Sequence, residues 1–408
     1  MHNAAPIRLL PGICGFRPES SRVSFFVVAL SLAASSGPAS AYDMNPVDVD
    51  CWGLETLCPA TKLTSNMKQP VHETLTLLAY DYYTHPELAA GGRAKTSADN
   101  LRKSGIFRDL VLGSEWNDDP DSLLRQNIVK AVQWNALFKN AQEQARCKKD
   151  SGQAFCKNVA ITDTPMMLYR SHFGDFQFLH AMASQPSESA QETKDKIMAW
   201  AKFTYTLSIS SNDFSNETID GPVISSFSTI SATLLRQGWT VGALFDPVPG
   251  GEWESSYNPL KLGRFKPSSV PRAQVKYAAL VQGASVKHIA LGSLLHMVQD
   301  SYSDAHVERE EGCNPLSKQR YGIISFRDYV AQSSADHGLA DVRPDWLDAG
   351  DLEKNNPVWA SAQLIQYSFK KVAWDKGVEQ FLDKEVFPLT NPSNPSSTGD
   401  RKCYLGTS

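Results

Sequence analysis

Apolar side chains recur at three- and four-residue steps along Val71 to Tyr83, Ser122 to Cys147, Phe176 to Ala183, Ser189 to Ser208, Ala273 to Tyr302 and Pro357 to Phe387. That spacing gathers them on one face of a helix, so each stretch is expected to be helical. Strict alternation between hairpin turns, the mark of half-buried strands, is scarce. From about Ser210 to Val270 the chain is rich in Gly, Pro, Ser and Asn. This middle reads as long loops with a short helix or hairpin. The tail after Leu389, with Asn391-Pro392-Ser393-Asn394-Pro395, has no period and reads as irregular. There is no internal repeat and no clean linker. The expected architecture is all-α, a single helical domain with a loop-rich insertion at about 210–270.

The N-terminus changes the picture. Arg8, Arg17 and Arg22 precede the apolar run Val23 to Ala34, and Ala39-Ser40-Ala41 places small residues where a signal peptidase reads. Residues 1–41 are therefore expected to be a signal peptide, cleaved after Ala41 to leave Tyr42 first, with an N-terminal anchor as the competing reading. No other stretch approaches the length of apolar sequence that a transmembrane helix needs. The remaining 42–408 would be secreted or periplasmic. Apart from Cys14 the cysteines are Cys51, Cys58, Cys147, Cys156, Cys313 and Cys403, an even set without Cys-x-x-Cys. In an exported chain this favours disulfides over a zinc–thiolate site. The pairing expected from proximity is Cys51 with Cys58 and Cys147 with Cys156, leaving Cys313 with Cys403.

Length and charge narrow the function. At 408 residues the chain can bury a full core, and its 42% hydrophobic content is that of a globular protein. The formal charge of -4 becomes more negative once the leader's three arginines and one glutamate are removed. A mildly acidic protein gains little from long-range attraction to nucleic-acid phosphates, so no stable nucleic-acid partner is expected.

Histidine spacing supplies the candidate chemistry. In Leu294-Leu295-His296-Met297-Val298-Gln299-Asp300 the imidazole and carboxylate are four apart and share a helix face. His306 follows, and His337 and Asp341 repeat the spacing. Such a pair is commonly a surface hydrogen bond. Several pairs with a third histidine make a ligand set that suits zinc. His2, His85 and His288 read as leader, surface and helix-packing residues.

The pattern His296-x-x-x-Asp300-x-x-x-x-x-His306 resembles the signature of the zinc-dependent phospholipase C superfamily, which also includes single-strand-specific nucleases. The surrounding Leu-His-Met-Val-Gln-Asp-Ser-Tyr-Ser is similar to the secreted bacterial phospholipases C. The likeness runs in patches from about Val71 to Asp341. It implies an all-helical fold and two or three zinc ions. It also implies that His72 in Pro70-Val71-His72-Glu73 is a ligand, and Asp118 in Trp116-Asn117-Asp118-Asp119 another, with Asp119 as the alternative. Ser171-His172-Phe173 matches a further element, making His172 a ligand, with His180 as a fallback whose apolar context suggests a packed or hydrogen-bonded residue instead. The resemblance then puts Asp118, His172, His296 and Asp300 on one zinc and His306, His337 and Asp341 on a second. His72 and the bridging Asp300 would hold a third. In that family the third ion also takes the first residue of the mature chain, usually tryptophan. Here Tyr42 lies far from His72 in sequence, and Trp52 would be internal.

The activity implied is hydrolysis of the glycerol-side phosphodiester of phospholipids at a membrane surface, with Asp118 also orienting or deprotonating the attacking water. Trp116, Phe173 and Tyr302 could line a pocket for a choline head group, or simply pack in the core. The run Gly238 to Phe245 could touch a membrane or be buried. Two other functions are compatible: a single-strand nuclease or 3′-nucleotidase on the same metal framework, and a non-catalytic, zinc-stabilised secreted binding protein.

Overall fold

The computed structural model describes residues 71–85, 105–120, 128–158, 167–230, 240–245, 251–253, 265–267, 285–310, 322–330, 332 and 356–398. These fall within one compact unit, Gly37–Ser408. The architecture is mostly helical, as the periodicity predicts. The helices in chain order are α1 (Val71–Thr84), α2 (Gly105–Trp116), α3 (Ile128–Lys149), α4 (Met167–Phe173), α5 (Ala190–Ile209), α6 (Pro222–Ser225), α7 (Val241–Phe245), α8 (Val286–Asp300), α9 (Pro357–Phe369) and α10 (Val378–Phe381). Two small antiparallel pairs accompany them: β1 (Gly251–Trp253) with β2 (Phe265–Pro267), and β3 (Val307–Arg309) with β4 (Ile323–Phe326).

The centre of the molecule is α8. From Ile289 to Asp300 every residue is buried, so this helix is enclosed on all sides. Ser285 begins it, and its N–H donates to Asp109 Oδ2 of α2 at 2.7 Å. The α2 and α8 backbones touch. A Cβ on Gly113 would lie 2.1 Å from the Ile289 carbonyl oxygen, and one on Gly292 2.2 Å from that of Leu110. Only glycine permits this approach. It brings the C-terminal end of α2, with Asn117 and Asp118, alongside the last turns of α8.

Asn117 then locks three segments together. Its Nδ2 donates to Leu179 O at 2.7 Å and to Ser293 O at 3.2 Å, while Ser293 Oγ donates to Asn117 Oδ1 at 2.6 Å. Helix α5 packs against α8 and starts with a capping box: Glu192 N–H donates to Ser189 Oγ, and Ser189 N–H to the Glu192 carboxylate. Asn356 caps α9 through Trp359 N, with Pro357 at the first turn.

A second, smaller core lies between α3 and α4, where Trp134, Phe138, Leu168, Phe173 and Tyr329 pack together. Cys147, in the last turn of α3, forms a disulfide with Cys156 across a separation of 9 residues. It agrees with the expected pairing, and closing so short a loop stabilises by about 3 kcal/mol in the chain-entropy account. The other proposed bridges, Tyr42, Trp52 and the leader lie outside the described residues.

Several elements differ from the sequence reading. Pro357 to Phe387 is not one helix. Lys371 at φ 50° and Gly377 at φ 123° break it after α9, and a 3-10 turn, α10 and a π-helical turn follow. Phe176 to Ala183 is a short 3-10 helix, Gln177–His180, stopped by Ala181 in the left-handed region at φ 50° and ψ 38°. Helices α2 and α4 and the β3–β4 pair were not expected. Trp116 stacks on Trp200, Phe173 packs in the second core, and Tyr302 lies beneath the Arg309 guanidinium, so all three are core residues. The segment Val241–Phe245 is likewise buried at Val241, Leu244 and Phe245. No helix among the described residues is long and apolar enough to cross a membrane.

The glycine crossing predicts that Gly292→Ala forces α2 from α8 and destabilises the protein by about 1–3 kcal/mol, as overpacking does. A urea melt matching the parent's would refute that account.

Candidate metal centre

Five segments meet at the end of α8. Helix α8 supplies His296 and Asp300 on one face, as the four-residue spacing requires. Helix α1 brings His72, whose ring stacks on that of His296 with centroids 3.8 Å apart. The end of α2 brings Asp118, and α4 with the 3-10 turn brings His172 and His180. His306 arrives from the turn between α8 and β3. Arg327 N–H donates to the His306 carbonyl, and Arg309 spans Ser301 O and Val386 O, fixing that turn. All seven side chains are 1% exposed or less.

Asp300 is the hub. Its Oδ1 lies 3.2 Å from His72 Nε2, and its Oδ2 lies 2.9 Å from both His180 Nδ1 and His296 Nε2. Asp118 faces the other side, with Oδ1 at 3.6 Å from His172 Nε2 and 3.8 Å from His180 Nδ1. Ligand atoms on one tetrahedral zinc stand about 3.3 Å apart, given zinc–nitrogen and zinc–oxygen bonds near 2.0–2.1 Å. Separations of 3.2, 3.6 and 3.8 Å therefore resemble edges of a coordination shell more than hydrogen bonds.

In four rings Nδ1 faces an oxygen acceptor, joined at His172 by the Ser171 hydroxyl at 2.9 Å. His296 Nδ1 donates to Ser114 O at 2.5 Å, His306 Nδ1 to His180 O at 2.6 Å, and His172 Nδ1 to Leu168 O at 3.0 Å. His72 Nδ1 donates to Gln299 Oε1 at 2.7 Å, and Gln299 is itself held by its Nε2 donating to Thr76 and Ser361. Each ring keeps Nε2 as its bare donor, the arrangement that outer hydrogen bonds impose on metal-bound histidines.

Burial is the main cause lowering His172 well below the ordinary histidine value, with His180 next. Burial also lowers His180, against its hydrogen bond with Asp300, and brings His296 down to about 3, helped by His72. At Asp300 burial alone would raise the carboxyl, but His306, His296 and His72 hold it well below the usual carboxylate range. Near neutral pH His172, His180 and His296 are thus neutral imidazoles beside an ionised Asp300. Two lone pairs, on His296 Nε2 and Asp300 Oδ2, then face each other at 2.9 Å without a proton between them. A cation answers that electrostatic conflict.

His72, Asp118, His172, His296, Asp300 and His306 thus converge as the sequence predicts. Asp118 faces the imidazoles, and Asp119 beside it is also buried. His337 and Asp341 lie outside the described residues. His180, the fallback expected to be packed or hydrogen-bonded, stands among the donors, its Nδ1 2.9 Å from Asp300 Oδ2. The sequence carried a signal for it: His172 and His180 bracket Gly174-Asp175, a turn that can return the chain to the same point. His288 lies apart, with Nδ1 3.7 Å from Asp109. Subsets such as His72 with Asp118 and His296, or His180 with His296 and Asp300, could each hold an ion.

No family model matches the chain, and no curated protein or solved structure is similar to it. Fold and site alone define the class: a mostly helical, disulfide-bearing protein with a buried histidine–aspartate centre able to hold a metal ion.

The lowered imidazoles give the metal-free protein a defined acid response. Below about pH 6.5 histidines in the unfolded chain take protons that the buried rings refuse, so the unfolded state binds more protons and stability falls with pH. The fall continues toward about 3, where His296 itself protonates. Each affected ring contributes up to about 1.4 kcal/mol per pH unit. Urea midpoints of chelator-treated protein should drop steadily from pH 7.5 to 4.5; a flat profile contradicts the burial of neutral imidazoles.

Proposed function

We propose that the chain is an exported zinc phosphodiesterase of the phospholipase C kind, releasing diacylglycerol and a phosphorylated head group from phospholipid. The observation that carries this is Asp300, whose two oxygens each face a different set of imidazole nitrogens, as a carboxylate shared between two ions would. Together with the resemblance around His296, Asp300 and His306, it supports a multinuclear centre. Zinc bound there supplies a coordinated water with a pKa near 7 and draws charge from phosphoryl oxygens. The residues have their own parts. Asp118 is the carboxylate placed to orient that water and accept its proton. Asp300 and the rings of His72, His172, His296 and His306 hold the ions, their Nε2 atoms aimed by the oxygens behind them. The apolar residues around α8 keep bulk water from the centre. His337 and Asp341 complete a second site in this reading.

A structural centre is the second reading, favoured by the near-complete burial of all seven side chains. A catalytic ion needs an open coordination position and a structural one does not.

One experiment separates these. The zinc-loaded protein is incubated with phosphatidylcholine vesicles and, separately, with single-stranded DNA, and its zinc content is measured. The expected result is bound zinc and phosphocholine release that EDTA abolishes and zinc restores, with Asp118→Asn slower by about 100-fold or more. Nucleotide release would make it a nuclease, and tightly held zinc with neither product a structural centre. A protein that binds no metal ends the proposal.

A further inference from the structure

We propose that His180 is a metal ligand acting through Nδ1, a donor absent from the shell of Asp118, His172, His296 and Asp300 that the resemblance implies. The inference rests on the metal-centre reading above and extends it.

His180 departs from three of the other rings. His72, His172 and His296 face the carboxylates through Nε2, at 3.2, 3.6 and 2.9 Å, while His306 Nδ1 lies 3.4 Å from Asp300 Oδ2. His180 turns Nδ1 inward, 2.9 Å from Asp300 Oδ2, 3.0 Å from His296 Nε2 and 3.8 Å from Asp118 Oδ1. Its inward nitrogen thus lies within 4 Å of both carboxylates, and its Nε2 is buried without a hydrogen-bond partner.

A plain hydrogen bond to Asp300 does not account for this position. Asp300 Oδ2, His180 Nδ1 and His296 Nε2 form a triangle with edges of 2.9, 2.9 and 3.0 Å. One proton on His180 Nδ1 can serve two of these edges. The third, between Asp300 and His296, is left with none, because the His296 proton is committed to Ser114 O. An ion shared by the three atoms satisfies them together. On the other side His180 Nδ1 and His172 Nε2 flank the same Asp118 oxygen at 3.8 and 3.6 Å, separations that suit two ligands of one ion.

The backbone is bent to hold this pose. Ala181, fully buried, adopts φ 50°, a left-handed conformation that costs a non-glycine residue on the order of 1 kcal/mol. The same turn aims the His180 carbonyl at His306 Nδ1. Residue 180 thus serves the centre twice, by its ring and by its main-chain oxygen.

The test uses the full mature chain reconstituted with zinc chloride or 113Cd chloride. Removing a hydrogen-bonding partner behind a ligand typically weakens metal binding 10–100-fold, so loss of a ligand is expected to exceed about 100-fold or to remove one ion. His180→Ala should show that loss. His180→Asn should show it too, although its amide can place an N–H near the Nδ1 position. Recovery of affinity in His180→Asn would make His180 a hydrogen-bond donor and overturn the proposal. A direct reading avoids dependence on variants that fail to fold: in [15N]histidine-labelled wild type loaded with 113Cd, His180 Nδ1 should show coupling to cadmium. Coupling at other histidines only, or at His180 Nε2, overturns the proposal. So does unchanged binding in both variants, and that result leaves the wider metal reading intact. A wild type that takes up neither zinc nor cadmium overturns both.

Discussion

Two carboxylates and five imidazoles share a volume from which water is excluded, and the rest of the molecule is arranged around that constraint. A buried charge without compensation is among the most costly things a fold can contain. Here the compensation is geometric: Asp300 is encircled by His72, His180, His296 and His306, which keep its carboxyl ionised. Maintaining that circle needs α8 at the centre of the helices. It also needs a backbone-to-backbone contact at Gly113 and Gly292, and Asn117 tying α2 to α8 and to the turn before His180. Side-chain packing and site geometry are therefore one problem in this protein.

How much of this is legible in the sequence depends on whether a residue's position is local. His296 and Asp300 sit one helical turn apart, so their meeting follows from periodicity alone. The convergence of His72, Asp118, His172 and His306 was reachable only by resemblance, since nothing within each segment says where the others will be. Choosing Asp118 over Asp119 needed the final orientation of the α2 terminus. His180 ranked only as a fallback because Phe176, Phe178 and Leu179 around it look like a buried helix face. The chain instead makes a single 3-10 turn there, closed by a left-handed alanine that propensity does not anticipate. The break after α9 was hidden for a similar reason. Apolar spacing persists through residues 370–387, while Lys371 and Gly377 take positive φ. The short β3 strand was missed because three residues carry too little pattern to register an alternation.

The protein also divides the labour of aiming its rings. Main-chain carbonyls of Leu168, Ser114 and His180 orient His172, His296 and His306, and such atoms are fixed by the helices and turns themselves. Folding the backbone correctly sets the tautomers of His296 and His306, while at His172 the Ser171 hydroxyl joins the Leu168 carbonyl.

His72 is different, because a side chain aims it. Gln299 lies on α8 between His296 and Asp300, is completely buried, and is braced by Thr76 of α1 and Ser361 of α9. Carbonyl-aimed donors cannot be retuned by replacing the residue behind them, since every amino acid brings the same oxygen. The His72 corner can be retuned, and a single codon at 299 governs whether that imidazole is steered by an amide, a carboxylate or nothing. Natural variation in how this centre grips its cargo has its easiest route there.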